Sequence, residues 1–469
     1  MEANACATLK LRAAFRKLED VGYTQAYFDF VNGRSDWNAF ESDPIVADAL
    51  TAASQEVHRV RLGVDRTNAD EVIRTALEAH RIGERDPWVL VGGPPCQAYS
   101  LAGRSRRAND VHFEEDEKHF LYKEYLHILE EFAPPIFVME NVKGLLSSTH
   151  GGQGMFARII KDLREPSENL EYDIHSLTVD KDVDKLLPRD FVIQAERFGV
   201  PQKRHRIILV GVRKGYFDDG IRLGKLLPVE EVTVGDALLG LPSIRSKISP
   251  ASLDSDEAWH LIKANVSAAY LRKTTQESDG PIEHTLSPSP VVANYREWVE
   301  DTRIVSPVHH QARNHMKSDL ERYWYASDRA SESGESPRLK HFPESLLPNH
   351  KNATDDNHPF EDRFRVQVAS KPSSTIVSHM AKDGNYYIHP DPDQMRTLTV
   401  REAARLQSFP DNYFFMGTRS AQYHQVGNAV PPLLAFQIAK VVSSAFSLHS
   451  RSDALNGEPI EQIPELVVR

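Results

Sequence analysis

One cysteine lies where α/β proteins commonly place reactive groups. Residues 93–97 read Gly-Pro-Pro-Cys-Gln and follow the short apolar run 88–91, so Cys96 comes just after a predicted strand. A thiolate at the carboxyl end of a strand could act as a nucleophile. A rigid turn with an incidental buried cysteine would also explain a Pro-Pro-Cys tripeptide. This segment alone therefore leaves both interpretations open.

A carboxylate follows the next predicted strand. Residues 139–142 read Met-Glu-Asn-Val, and they place Glu140 at the end of the apolar run 135–139. Cys96 and Glu140 would then face one cleft from neighbouring strand ends, where a carboxyl group could exchange protons with a substrate. A glutamate beside a helix that Asn141 caps is the plain alternative.

Two polar segments complete the set of candidates. Residues 202–206 read Gln-Lys-Arg-His-Arg and lead into a third apolar run, so strand alternation would place Gln202, Arg204 and Arg206 on one face. The alternative is an edge strand whose charged side chains prevent it from pairing with another chain. Residues 427–432, Gly-Asn-Ala-Val-Pro-Pro, join a turn to a helix start, which proline alone could initiate.

The elements that must position these residues alternate between strands and helices. Apolar runs at 88–91 and 135–139 flank a helical pattern at 120–132, and a third run follows at 206–211. The first run is expected to form a buried parallel strand. This order predicts an open α/β sheet, in which ligands bind outside the carboxyl ends of the strands.

The rest of the chain differs from this α/β half. A helical pattern extends from Lys10 to about Ile82, and residues 214–393 are rich in loop-forming residues. Thr399 and Glu402 form a predicted capping box that starts a helix. A last helix is expected after the proline pair at 431–432.

Composition limits the class of protein. The 469 residues, 40% hydrophobic and 26% charged, predict two or three domains. No apolar run approaches the roughly 20 residues of a membrane helix, and no secretory pattern opens the chain, so we expect a cytoplasmic protein without a membrane partner. The two cysteines, Cys6 and Cys96, predict free thiols. The net charge of -11 still permits a local basic face for DNA.

Four of these segments, in this order, resemble the motif set of the bacterial DNA (cytosine-5)-methyltransferase family. The motifs are Pro-Cys-Gln, Glu-Asn-Val, Gln-x-Arg-x-Arg and Gly-Asn-x-Val-Pro-Pro, and the similarity extends to residues 195–201 and 399–410. The resemblance implies an α/β fold, the Rossmann-like S-adenosylmethionine-dependent methyltransferase fold with an inserted loop-rich target-recognition domain. It predicts a catalytic α/β domain at 1–213, target recognition at 214–393, a return to the catalytic domain at 394–447 and a tail at 448–469.

The resemblance also implies a reaction. A methyl group would pass from S-adenosylmethionine to carbon 5 of a cytosine that is flipped out of double-stranded DNA. Cys96 would add to carbon 6, and Glu140 would act as an acid at ring nitrogen 3. Of the two arginines, Arg204 is expected to touch the ring near its carbonyl oxygen, and Arg206 is expected to support it.

The remaining contacts are assigned by the same resemblance. The residues expected to bind S-adenosylmethionine are Glu2, Pro94, Leu121 and Asn428. Those expected to contact DNA are Gln97, Arg104, Arg106, Arg107 and Gln202. An ordinary solvated loop is the alternative for residues 103–119. No metal site is expected, because the histidines, including the pair at 309–310, lack ligand spacing.

The family's amino-terminal Phe-x-Gly-x-Gly turn has no match in this chain. Residues 2–7 are similar to the next family segment, whose acidic residue holds the ribose, although a solvated carboxylate would also explain Glu2. A glycine-rich turn lets backbone donors approach a cofactor closely, so we expect the chain from Met1 to bind S-adenosylmethionine weakly. Either an upstream in-frame segment supplies the turn, or the chain is a truncation with little activity.

Three functions compete at this point. The leading hypothesis is a monomeric DNA (cytosine-5)-methyltransferase, free-standing or paired with a cognate restriction endonuclease that is encoded nearby. A non-catalytic DNA-binding remnant would bind duplex DNA without affinity for the cofactor. An RNA cytosine methyltransferase on the same scaffold would prefer a structured RNA, but the long middle region argues against it, because RNA shape can be read by a small target region.

Overall fold

The computed structural model describes residues 2–94, 122–150, 153–217, 223–270, 289–348, 363–382 and 384–455. Internal contacts divide the chain into two compact units. Unit 1 comprises Met1–Arg59, Ala195–Arg204 and Pro228–Leu434, and unit 2 comprises Val60–Gln194, His205–Leu227 and Ala435–Arg469. The functional domain boundaries at 213, 393 and 447 stay a prediction.

Helices account for much of the described chain. They are α1 (Ala3–Asp20), α2 (Gln25–Val31), α3 (Trp37–Ser42), α4 (Pro44–Ser54), α5 (Arg66–Ala79), α6 (Tyr122–Phe132), α7 (Met155–Arg164), α8 (Val234–Leu238), α9 (Asp256–Tyr270), α10 (Pro290–Val299), α11 (Lys317–Ser333), α12 (Val400–Leu406), α13 (Arg419–Asn428) and α14 (Pro432–Leu455). The helical pattern predicted for residues 10–82 is confirmed by α1 to α5.

Nine strands are present in the same residues. They are β1 (Val89–Gly92), β2 (Ile136–Val142), β3 (Thr149–His150), β4 (Gln153–Gly154), β5 (Tyr172–His175), β6 (Val192–Gln194), β7 (His205–Arg213), β8 (Lys247–Ser249) and β9 (Asn314–Met316). The three strands predicted from apolar runs correspond to β1, β2 and β7, so these predictions are confirmed.

The main sheet, in unit 2, is mixed rather than fully parallel. Its strand order is β1-β2-β7-β5, and β6 also pairs with β7. β1 and β2 run parallel, whereas β7 is antiparallel to β2, β5 and β6. The carboxyl ends of β1 and β2 therefore lie at one edge of the sheet, together with the beginning of β7.

β1 is more exposed than its sequence predicts. Val91 is 72% exposed, whereas most of β2 and β7 is buried. Within the described residues, β1 hydrogen-bonds only to β2. Side chains of a strand point alternately to the two faces of the sheet, so the exposure of Val91 shows that its face of β1 is largely uncovered. The prediction of a buried strand is wrong for β1.

Aromatic side chains fill the core of unit 2. Tyr122, Tyr125 and Leu129 of α6 are buried, and their spacing of three and four residues places them on the face that packs against the sheet. Phe137 of β2 is fully buried, and a Cβ at Gly211 of β7 would lie 2.1 Å from its ring. Only glycine at position 211 leaves room for that ring.

In unit 1 the amino-terminal helices build a core with a distant part of the chain. Phe15 and Tyr27 are buried there. The Tyr27 hydroxyl donates to the carbonyl oxygen of Asn412 at 2.6 Å, and the backbone N–H of Met416 donates to the Thr8 hydroxyl at 2.8 Å. The helices α1 to α4 thus hold the segment between α12 and α13.

α12 begins with the predicted capping box. The Thr399 hydroxyl accepts from the backbone N–H of Glu402, and the Glu402 carboxylate accepts from the backbone N–H of Thr399. Glu402 is buried, which would raise its pKa, but Arg396 and His389 together hold that pKa well below its usual range. Two Arg396–Glu402 hydrogen bonds of 2.7 Å anchor the helix start.

One segment of the described chain, Arg419–Ser447, has the length and apolar composition of a membrane span. It contains two helices, α13 and the first part of α14, which three residues separate, and the first of these, Ala429, is extended. Several of its apolar side chains are buried within the protein, namely Leu434, Ile438, Val442 and Ala445. Length and composition of one such segment are weak evidence for a membrane span, because core helices of other proteins share them.

Candidate active site

Glu140 and Arg206 form an ion pair at the carboxyl end of β2. Residue 140 lies opposite Ile208, and residue 206 lies opposite Val142, so the two side chains are diagonal neighbours on one face of the sheet. Nε of Arg206 is 2.9 Å from Oε1 of Glu140, and the side chains are 16% and 22% exposed. A charged pair with partial access to solvent can still meet a ligand.

The environment of Arg206 reinforces this pair. Its Nη1 donates to the carbonyl oxygen of His205 at 2.9 Å. Burial lowers the pKa of Arg206, and the attraction of Glu140 opposes that shift. The guanidinium keeps further N–H groups beyond these two contacts, because its fork carries five donors.

The turn after β1 comes close to Glu140. A Cβ on Gly93 would lie 3.2 Å from Oε2 of Glu140, and one on Gly92 would lie 2.7 Å from the ring of Tyr125. Glycine at both positions therefore lets the backbone approach the end of β2. Pro94 is half-buried, and Cys96 follows two residues later in the sequence.

Arg204 has a different environment, within unit 1. It is 3% exposed, and its Nη1 donates to the carbonyl oxygens of Ile376 at 2.9 Å and Gly427 at 3.3 Å. The two arginines of the Gln-x-Arg-x-Arg segment are therefore not on one strand face, since β7 begins only at His205. Alternation cannot apply to residues that precede the strand, and this part of the expectation is wrong.

Gln202 is fully buried in the same unit. Its Nε2 donates to Oε1 of Gln407 at 2.6 Å, and its Oε1 accepts from the backbone N–H of Ile376 at 2.7 Å. Gln407 in turn donates to the carbonyl oxygens of Val426 at 2.8 Å and Ala429 at 3.0 Å. The two glutamines thus connect the segment before β7 to the end of α13.

Gln407 was not singled out from the sequence. It lies in the Arg-Leu-Gln-Ser-Phe-Pro segment, but neither periodicity nor charge indicates that this amide is buried and fully bonded. Only the position of the end of α13 shows that Gln407 bonds the carbonyl groups there. The sequence also did not single out Tyr125 of α6. Its spacing in the helix predicts an ordinary core residue and does not indicate that its hydroxyl contacts two strands.

We expect Arg204→Met to destabilise the fold by about 3 kcal/mol, because two buried carbonyl groups lose a charged donor. Arg16 is the matched control, since its side chain is 63% exposed beside Glu56. Arg16→Met should change the free energy of unfolding by less than about 1 kcal/mol. Urea unfolding of both variants measures the difference, and equal stabilities would show that the Arg204 contacts contribute nothing.

Gly427 is needed for a close backbone contact. A Cβ there would lie 2.2 Å from the backbone N of Ser378 and 2.3 Å from the backbone C of Val377. Because main-chain atoms cannot rotate away, Gly427→Ala should cost about 3 kcal/mol of unfolding free energy. At Gly224 a Cβ would meet only Val441, at an ordinary 3.8 Å, so thermal unfolding of Gly224→Ala should differ little from that of the natural chain.

Several predicted site residues cannot be placed. Those that lie outside the described residues are Cys96, Gln97, Arg104, Arg106, Arg107 and Leu121. Among the others, the structure brings Glu140 and Arg206 together in unit 2. In unit 1, Glu2 and Asn428 are exposed. An exposed carboxylate and an exposed carboxamide have the chemistry to bind the hydroxyl and amino groups of a nucleoside.

The chain is similar to known DNA methyltransferases. A model of the family described as C-5 cytosine-specific DNA methylase matches residues 66–444. The type II methyltransferase M.Bpa9945I of Bacillus paralicheniformis is 32% identical over 460 residues, which cover 95% of this chain and 92% of that protein. The type II methyltransferase M.AgeI of Thalassovita gelatinovora is 28% identical, with 76% and 83% covered.

Among solved structures, a prophage-encoded DNA modification methyltransferase of E. coli aligns with a TM-score of 0.45 and 21% identity, covering 80% of this chain and 83% of that one. The family match and the mixed α/β sheet confirm the expected Rossmann-like fold class. The expected enzyme class, DNA (cytosine-5)-methyltransferase, is confirmed with it. The matched residues extend over most of the sequence, and the chain therefore belongs to the C-5 cytosine-specific DNA methylase family.

Proposed function

We propose that the chain transfers a methyl group from S-adenosylmethionine to carbon 5 of a flipped-out cytosine in double-stranded DNA, with Cys96 as nucleophile. The observation that carries the proposal is the ion pair between Glu140 and Arg206, which the turn leading to Cys96 approaches at Gly93. Nucleophile, acid and cation would then meet at one end of the sheet.

Each residue has a defined part in this reaction. The Cys96 thiolate forms a bond to carbon 6, and the ring electrons move toward carbon 5, which becomes nucleophilic. While Arg206 holds Oε1 of Glu140, the carboxylate takes up a proton from solvent and donates it to ring nitrogen 3 as negative charge builds on the ring. After methylation, solvent water accepts the carbon 5 proton, the double bond between carbons 5 and 6 re-forms, and the Cys96 sulfur leaves as a thiolate. The proton on ring nitrogen 3 returns to Glu140.

The sequence suggested that Arg204 contacts the cytosine ring. We assign that contact to Arg206 instead. Arg206 holds Glu140 and has donors left for the cytosine carbonyl oxygen. The guanidinium of Arg204 instead binds two backbone carbonyl groups and is almost inaccessible. Gln202 is also buried, and through Gln407 it is bonded to the end of α13. It is therefore assigned to holding the end of α13 rather than to contacting DNA.

S-adenosylmethionine supplies an electrophilic methyl group when it is bound. The residues proposed to hold it are Glu2, Pro94, Leu121 and Asn428. Exposed polar side chains at positions 2 and 428 support this assignment. The segment with Arg104, Arg106 and Arg107 is proposed to contact DNA phosphates, together with Gln97 beside the flipped base.

Methyl transfer from labelled S-adenosylmethionine tests the proposed function. The chain should label an unmethylated duplex that contains many sequence contexts, and it should label a structured RNA of equal length far less. Preferential labelling of the RNA would support the RNA methyltransferase instead. Duplex binding in a gel-shift assay without any label transfer would favour the non-catalytic remnant.

Target recognition is proposed to lie in residues 214–393. Base readout in the major groove needs loops of variable chemistry, and this part of the chain is rich in them. Exchanging it for the matching region of a relative with a different target should move the sequence preference to that of the donor, as bisulfite sequencing of treated DNA would show. A folded chimera that keeps the original target would place recognition elsewhere.

We also propose a partner. The relatives named above are called type II methyltransferases, which suggests a cognate restriction endonuclease for this chain as well. DNA that the chain has methylated should then resist the endonuclease encoded near its gene. Equal cleavage of methylated and unmethylated DNA would indicate a free-standing enzyme. The expected monomer can be checked by light scattering.

A further inference from the structure

We propose that Tyr125 is a positioning residue that clamps β1 to β2 two residues before Gly92 and Glu140, and thereby fixes the place of Glu140. This inference rests on the proposed function, in which Glu140 is the catalytic acid. Tyr125 is buried in the core of unit 2 and is assigned no part in the bond-forming steps.

The hydroxyl of Tyr125 bridges two strands. It donates to the carbonyl oxygen of Leu90 in β1 at 3.4 Å and to that of Val138 in β2 at 3.2 Å. These strands are parallel neighbours, with Val91 paired to Val138. Both contacts are long, so one proton is shared between two acceptors. It resists separation of the strands at Leu90 and Val138, two residues before Gly92 and Glu140 respectively.

The ring of Tyr125 supports the turn that follows β1. A Cβ on Gly92 would lie 2.7 Å from Cε2 and 3.0 Å from Cδ2 of the ring, so the backbone of Gly92 rests directly on it. The next residue, Gly93, faces the Glu140 side chain at a distance that leaves little space for a Cβ. The contacts therefore run from Tyr125 through the turn to the carboxylate.

The phenol is suited to this task at any pH at which the enzyme works. Tyr125 is 6% exposed, and burial raises its pKa well above the ordinary value, so the hydroxyl stays a donor. Its ring also meets Phe137 edge to face, with centroids 5.9 Å apart, which fixes its orientation.

Tyr172 offers a matched control in the same core. It is buried, its ring also contacts Phe137 with the centroids 5.1 Å apart, and its hydroxyl donates to the carbonyl oxygen of Pro134 at 2.8 Å. Tyr172→Phe therefore removes a buried tyrosine hydroxyl but leaves the contacts of Tyr125 with β1 and β2 in place. Any effect that is common to both phenylalanine variants belongs to stability alone.

Single-turnover methyl transfer separates the two roles. We expect Tyr125→Phe to slow the chemical step roughly ten-fold, with the KM for duplex DNA unchanged, since small displacements of reacting groups reduce rates strongly. Tyr172→Phe should leave the rate of the folded enzyme unchanged. Equal rates for Tyr125→Phe and Tyr172→Phe would overturn the proposal.

A rescue experiment tests the contact with Gly92. Gly92→Ala should slow methyl transfer about 100-fold, because its Cβ displaces the turn from the Tyr125 ring. Adding Tyr125→Leu removes the Cε2 atom that the Cβ would meet and should restore the rate at least roughly ten-fold. A double variant as slow as the product of the two single effects would contradict the clamp.

Hydrogen exchange provides a readout that does not depend on activity. The amides of residues 91–93 should exchange roughly ten-fold faster in Tyr125→Phe than in Tyr172→Phe. Unchanged exchange overturns the clamp even if an alanine variant at position 92 fails to fold. If the natural chain transfers no methyl group although exchange responds as expected, the proposed function fails and the clamp stands.

Discussion

Replacing Cys96 with alanine abolishes methyl transfer, with an expected loss of at least roughly 10⁴-fold, because the thiolate proposed to form the bond to carbon 6 is removed. Duplex binding should persist, since phosphate contacts provide most of the affinity. Product formation and fluorescence anisotropy, measured on the same preparation, separate the two effects.

The other cysteine provides the control. Cys6 lies in α1, in unit 1, and no role in the reaction is assigned to it. Cys6→Ala should keep the rate of the natural chain. If Cys96→Ala were fully active, or if Cys6→Ala lost activity while staying folded, the nucleophile would be assigned to the wrong residue.

The second large effect concerns the ion pair. Glu140→Gln removes the acid but keeps the size of the side chain, and Arg206→Lys keeps the charge but loses the planar fork that reaches Glu140. Each should slow the chemical step by roughly two orders of magnitude or more, the scale of a general acid or an oxyanion contact. Rapid-quench kinetics with saturating DNA measures that step directly.

The choice between the two arginines is decided by a comparison of effects. Arg204→Met should lower the free energy of unfolding while the folded fraction keeps most of its rate of methyl transfer. Arg206→Lys should lower the rate while the free energy of unfolding stays nearly the same. If Glu140→Gln and Arg206→Lys were less stable but kept the specific activity of the folded fraction, the ion pair would have only a structural role. A slow, stable Arg204→Met variant would return the ring contact to Arg204.

Much of the architecture around the site could be predicted from local signals. The apolar runs of β1, β2 and β7 and the capping box of Thr399 and Glu402 are properties of a few consecutive residues. The second apolar run likewise indicates β2, although Glu140 lies within that strand, two residues before its end at Val142, and not after it. Such predictions succeed because the physical cause is contained in the segment itself.

The parts that could not be predicted depend on contacts between distant segments. Strand alternation placed Arg204 beside Arg206, but the strand begins one residue after Arg204, whose side chain binds the carbonyls of Ile376 and Gly427. A shift of a strand boundary by one or two residues is enough to exchange the roles of two arginines. Sequence alone cannot fix that boundary.

The amino-terminal helices show the same limit. Their periodicity predicts helices, and these are found, but nothing in residues 3–54 indicates that Tyr27 and Thr8 bond to residues beyond 410. Likewise, the apolar run of β1 predicts burial, but the exposure of Val91 depends on what covers its face of the sheet. Both outcomes are set by tertiary neighbours and not by the segment.

The most direct test of the central claim is a covalent trap. In DNA that carries 5-fluorocytosine the departing proton is replaced by fluorine, so a cysteine that adds to carbon 6 cannot leave after methylation. Incubation of the chain with such a duplex and S-adenosylmethionine, followed by proteolysis and mass spectrometry, should yield a methylated nucleotide attached to the peptide that contains Cys96. An adduct on Cys6, or turnover of normal DNA without any adduct, would contradict the account.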